Sequence, residues 1–236
     1  ASVEQERFIT VSVHKKNVDE ARTFFSRVTG EITSKLSRLN SSSNELDAAE
    51  RLDVLRGFFR PDESSLPFDL QSAMKRGHNL KDTICPDSLE FHRDYFKIGN
   101  QYGRVLFLKD YASYIKDSMI LELTDLNRRM MPSIDMIPVP TDEAVREVEN
   151  KLLGVETNVT NWQRRQNSNQ NFSAVVPYDL EQQRKETREM LDDLTTRDQR
   201  MLFAVVTLVH LADSKEELDS DTETLQSISR KHLCQL

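Results

Sequence analysis

The chain has 236 residues, 37% of them hydrophobic and 30% charged, with a formal net charge of −7. That is enough apolar matter for one large or two modest cores, and the acidic balance excludes a global basic field for nucleic acid. The two cysteines, Cys85 and Cys234, stand far apart in no CxxC spacing, which argues against a disulfide framework and fits a reducing compartment. The longest apolar run, Met201 to Leu211, is too short to span a bilayer. The first residues, ASVEQERFITVSV, lack the basic-then-apolar pattern of a signal peptide.

Taken in chain order, Arg7–Val13 alternates, with Ile9, Val11 and Val13 on one side, and predicts a half-buried strand. Asn17 then caps a helix from Val18 to about Leu39, with Phe24, Phe25, Val28, Ile32 and Leu36 at helical spacing. The polar run Asn40–Asn44 ends it. A second helix is expected over Leu46–Phe59, a loop over 61–67, and a short helix over Phe68–Arg76 closed by Gly77. Residues 88–109 read as a two-stranded hairpin, with Gly99, Asn100 and Gly103 supplying the turn. A helix over Tyr111–Leu126 follows, then an apolar strand, MMPSIDMIPVP, whose three prolines suggest an edge position.

Residues 141–198 are the most informative. Val145, Val148, Leu152, Val155, Val159 and Trp162 recur at alternating spacings of 3 and 4, a heptad seam on a helix that starts at Thr141-Asp142. At 1.5 Å per residue it is roughly 36 Å long or more. The run NSNQN interrupts it. A second helix begins near Tyr178, with Leu180, Gln183, Thr187, Met190 and Leu194 as a weaker seam. Two such helices joined by a polar loop predict an antiparallel helical hairpin with a narrow apolar stripe, expected to project from the body. Met201–Leu211 then reads as a fully buried strand. Lys215–His232 reads as an amphipathic helix with Leu218, Thr222, Leu225 and Ile228 inward, and Cys234–Leu236 as the start of a further strand.

This order predicts an α+β fold with a mixed or antiparallel sheet and flanking helices. Specifically, it is a ferredoxin-like βαββαβ unit with an antiparallel helical hairpin inserted between its two middle strands. A doubly wound parallel sheet is the alternative. Residues 1–87 are expected as an N-terminal strand-helix-helix region and 88–236 as the ferredoxin-like region carrying the hairpin 141–198.

The search for chemistry is negative. No pair among the six glycines has the spacing of a P-loop followed by Lys, and no dinucleotide fingerprint occurs. The five histidines form no HExxH and no His/Cys zinc spacing. His210 reads as a hydrogen-bonded core histidine, and His78 near Cys85 as loop residues rather than a catalytic pair. Asp192-Asp193 and the acids around Asp213–Asp221 read as solvated helix faces, without the alternation of a calcium loop. No catalytic, cofactor or metal residue is therefore assigned. The candidate interaction surface is Trp162, Arg164, Arg165, Phe172 and Tyr178 on the hairpin. Together with Arg128 and Arg129, the arginines leave DNA contact open, against the acidic charge of the rest.

Three stretches carry a family resemblance: GRVLFLKDYASYI at 103–115, MPSIDMIPVPTDEAVREVENKLLGVETNVTNWQRRQN at 131–167, and PYDLEQQRKETREMLDDLTTRDQRMLFAV at 177–205. They resemble the region upstream of the motor in conjugative-transfer ATPases of type IV secretion systems, the TrbE/CagE/TraC group. The versions on Gram-positive conjugative elements are the most alike. FITVSVHKKNVDEARTFF and RLDVLRGFFRP also fit that N-terminal region.

The resemblance implies a non-enzymatic N-terminal docking and assembly domain, cytoplasmic and peripheral at the cytoplasmic membrane. Its partners would be inner-membrane channel components of the secretion system, with self-association possible. ATP and magnesium would be needed only by a motor domain beyond the point matching Leu236. The absent P-loop and a chain ending inside an element are both expected of the N-terminal region alone.

Overall fold

The computed structural model describes residues 4–60, 69–112 and 114–236. Its elements in order are α1 (Val18–Arg38), α2 (Ala48–Phe59), α3 (Leu70–Lys75), α4 (Leu80–Ile84), β1 (Leu89–Phe91), β2 (Phe96–Ile98), β3 (Gln101–Phe107) and α5 (Asp117–Thr124). They continue with β4 (Arg129–Pro138), α6 (Thr141–Ser168), α7 (Tyr178–Thr195), β5 (Leu202–Ala212) and α8 (Lys215–Lys231). The fold is α+β: helices flank one five-stranded antiparallel sheet of order β1-β2-β3-β5-β4.

From β3 onward the chain runs strand, helix, strand, helical hairpin, strand, helix. Gln235 then forms an antiparallel bridge with Asp110, just past β3. Counted with that bridge, this is the βαββαβ order with α6 and α7 inserted between the middle strands. β1 and β2 are added at the start of β3.

The chain forms two compact units. The first holds residues 1–105, 112–131 and 209–233; the second holds 106–111, 132–208 and 234–236.

In the first unit, α1 begins where the Asn17 side chain accepts the Glu20 N–H. Asp19 and Glu20 stand in its first turn and Lys35 and Arg38 in its last, matching the helix dipole at both ends. α2 begins with a full capping box between Asp47 and Glu50. Gly99, at φ +55°, opens the two-residue turn that sets Ile98 opposite Gln101. Gly103 sits within β3, opposite Phe96, and the Phe96 ring lies over it. A Cβ there would come 2.3 Å from Phe96 Cζ and 2.7 Å from Leu211 Cδ2. The core of this unit is built on two packed helices, with Asp221, Thr222 and Ser229 buried beside the leucines of α8. Met119 and Leu123 of α5 and Leu218 and Leu225 of α8 are buried, and the two helices pack together. Fully burying each such side chain contributes roughly 1.5–3 kcal/mol.

In the second unit, Val139 N–H donates to the Met201 carbonyl at 3.0 Å, closing the strand pair on which the hairpin stands. Because Val139 faces β5, the alternate residues Pro138 and Pro132 face away from it. On an edge strand their missing N–H groups remove no ladder bond. The same prolines deny a foreign strand two of the donors it would need. Ala144, Val148 and Leu194 form the buried base of the hairpin, packed with Val139, Val145, Leu191 and Met201.

Several sequence expectations are corrected. Arg7–Val13 forms no strand: Phe8 is 50% and Ile9 66% exposed, and alternation without a partner strand yields no ladder. The 88–109 hairpin is three strands, because His92–Tyr95 turns the chain once more, and Gly103 belongs to a strand rather than a turn. The helix expected from Tyr111 starts only at Asp117. The Tyr111 hydroxyl is instead used on β5, donating to the Ala204 carbonyl and accepting from Val206 N–H. β5 is buried only from Val206 onward. Its first residues are exposed because the helices of the second unit bury their seams on each other. The short helix α4 had no counterpart in the sequence reading. The loop expected over 61–67 lies outside the described residues.

Candidate interaction surface

The hairpin is built from the inside of its seam outward. On α6 (28 residues) Ala144, Val148, Val155 and Val159 are buried, while Val145, Leu152 and Trp162 are half-buried. On α7 the buried residues are Thr187 and Leu194, with Leu180, Arg184 and Leu191 half-buried. Gln183 and Met190, expected on that seam, are exposed: the inward face is rotated by one residue, toward Arg184 and Leu191. The rotation has an electrostatic partner. Glu156 of α6 pairs with Arg184 at 3.8 Å and forms a closer ion pair with Arg188. The Glu181 carboxylate then raises the Arg184 pKa above its ordinary value. Base contacts between Val148 and Leu194, and mid-shaft contacts between Glu156 and Arg184, fix the helices antiparallel.

At the far end α6 stops at Asn169, and Gln170 turns with φ +58°. The connection to Tyr178 leaves three large apolar side chains in solvent: Phe172 is 78%, Val175 85% and Tyr178 77% exposed. Arg164 and Arg165, in the closing turns of α6, are exposed as well. Between Glu156 and Asp179 they are the only charged residues. The five candidate residues therefore gather at one end of one hairpin. Trp162 alone is partly withdrawn into the seam. Val175 belongs to the group and was missed; the signal was present as an apolar Ala-Val-Val run inside an otherwise polar connection.

The other residues weighed for chemistry are structurally engaged. Arg128 pairs with Glu217 and Asp221, both at 2.9 Å, and Arg129 donates to the Gly57 carbonyl. Asp221 is buried there, and burial raises its pKa despite Arg128. Arg104 of β3 reaches Asp94 at 3.1 Å, Asp219 at 2.8 Å and the Thr222 hydroxyl at 2.7 Å. Lys215 first, and Arg104 second, hold the Asp219 carboxyl below its usual range.

Thr222 donates to the Leu218 carbonyl, so its oxygen accepts from Nε2 of the fully buried His210 at 3.1 Å. His210 Nδ1 is then a bare acceptor with no hydrogen-bond partner among the described residues. Burial, with Arg104 adding to it, lowers the His210 pKa to about 4, so the ring is neutral. This is a hydrogen-bonded core histidine, as its apolar surroundings in the sequence suggest. Cys85 is exposed and Cys234 is buried. Among the described residues no group of three or more His, Cys, Asp or Glu side chains could hold a metal ion, and no helix is long and apolar enough to cross a membrane.

No protein-family model matches the chain, and no curated protein matches it.

Proposed function

We propose that the chain is the N-terminal docking and assembly domain of a conjugative DNA-transfer ATPase of a type IV secretion system. In this role it is not itself an enzyme and uses no cofactor of its own. It works at the cytoplasmic face of the membrane on inner-membrane channel components. The observation that carries the reading is the α6–α7 hairpin. Its helices bury a narrow seam against each other and leave aromatic and cationic side chains free at one end. Phe, Tyr, Trp and Arg are the residue types that anchor protein contacts. The resemblance of 103–115, 131–167 and 177–205 to the secretion ATPases supplies the biological setting.

The test is capture of the channel's membrane components by the intact chain and by a variant in which a short Gly-containing turn replaces 141–198. The Val139–Met201 hydrogen bond marks where that turn would close the strand pair. Capture by the intact chain alone supports the proposal; equal capture by both removes the hairpin from it. Phosphate release from ATP by the purified chain above a protein-free blank would contradict the non-enzymatic part. The DNA-contacting alternative is not carried forward, since two of its four arginines, Arg128 and Arg129, are engaged inside the chain.

A further inference from the structure

We infer that the end of the α6–α7 hairpin binds an anionic lipid surface directly, with Phe172, Val175 and Tyr178 entering the headgroup layer and Arg164 and Arg165 meeting lipid phosphates. The inference deepens the docking proposal and rests on the hairpin being the docking element.

Charge is the first argument. The chain carries a net charge of −7, yet the segment between Glu156 and Asp179 holds two cations and no anion. Only an acidic surface complements it. The acidic helix shafts would be repelled by such a surface, whereas the tip would not.

Shape is the second. The three exposed side chains sit on a chain reversal between two helices, and each is more than three-quarters exposed. A soft interface accepts such a convex group without a preformed pocket. Chemistry is the third. An apolar ring with a polar hydroxyl, as in Tyr178, prefers the boundary between headgroups and acyl chains. The rest of the connection, from Gln166 to Ser173, is amide and hydroxyl apart from Phe172, so it loses no ionic hydration on approach. Two arginines near an anionic leaflet strengthen binding by roughly 30-fold at low salt. That is too little to anchor a protein alone but enough to orient one together with the apolar tip.

The intact chain is floated with vesicles of phosphatidylcholine alone or mixed with phosphatidylglycerol. Binding to the mixed vesicles only, weakening with salt, is expected. Arg164→Gln with Arg165→Gln should weaken it by roughly 30-fold. Phe172→Ser with Val175→Ser and Tyr178→Ser should weaken it by at least about tenfold. Both variants should keep the parent's circular dichroism and denaturation midpoint, because the altered residues are exposed.

No binding to the mixed vesicles, or binding indifferent to both variants, would overturn the inference. A tip that ignores vesicles while its variants abolish capture of a channel component in lipid-free detergent would assign it to a protein pocket, and would also overturn it. In that last case the docking proposal stands. Vesicle binding with no capture of any channel component would instead sink the docking proposal and leave the lipid contact.

Discussion

The α5–α8 core and the α6–α7 hairpin solve the same problem, burying an amphipathic helix, in opposite ways. In the first, α8 turns Leu218, Thr222, Leu225 and Ser229 into a buried face, and its polar groups are tied down by Arg104, Lys215 and His210. In the second, each helix has a narrow seam and little else, and the far end is left unpartnered. A broad buried face serves stability. A region closed only along one line has surface to spend on another molecule.

Perturbing the two regions should therefore give contrasting results. The largest loss is expected at Leu218→Ala or Leu225→Ala, where a cavity opens in a closed core. About 2–5 kcal/mol should disappear from the urea unfolding free energy.

Acid comes next. His210 has a folded pKa of about 4, below the ordinary histidine value. The unfolded chain therefore takes up the proton first as pH falls. The stability this buried neutral ring provides is complete above about pH 6.5 and is lost progressively down to about pH 4, roughly 3 kcal/mol in all. The depressed pKa of Asp219 acts in the same direction lower down: its contribution is present above the ordinary carboxylate value and lost as pH falls through the lowered one. Denaturation midpoints measured between pH 7 and pH 4 should fall, and His210→Gln should flatten the slope.

Gly103→Ala is expected to cost about 1–3 kcal/mol, because its Cβ meets the Phe96 ring and Leu211. Adding Phe96→Leu should recover part of that loss. At the hairpin, Glu156→Gln weakens partly exposed ion pairs, and a loss of at most about 1 kcal/mol is expected. Phe172→Ser at the tip should leave stability within about 0.5 kcal/mol. A tip substitution that destabilised the chain by several kcal/mol would dissolve the contrast between the regions.

How legible these regions were in the sequence follows from where their partners lie. The hairpin was readable because a helical seam is a local pattern: Val148, Val155 and Val159 are inward as their spacing requires. The α7 seam was less so, because Arg184 turns inward to meet Glu156, an ion pair across two helices that spacing along one helix does not record. The Arg7–Val13 strand failed for the converse reason. Alternation states a preference, but a strand exists only with a hydrogen-bonded neighbour, and this segment has none among the described residues. Gly103 reads as a turn in the sequence because glycine usually signals one; its actual cause, a ring packed on it from the neighbouring strand, needs the register of β2 on β3. The candidate interaction residues follow from residue type alone, and Val175 is harder to read there because valine is ordinarily core.

The most direct test of the docking role is quantitative capture of inner-membrane channel components by the intact chain, compared with the variant whose residues 141–198 are replaced by a turn. Capture by the intact chain and background levels for the variant are expected, with both proteins folded by circular dichroism. Undiminished capture by the hairpinless protein would contradict the role assigned to α6 and α7.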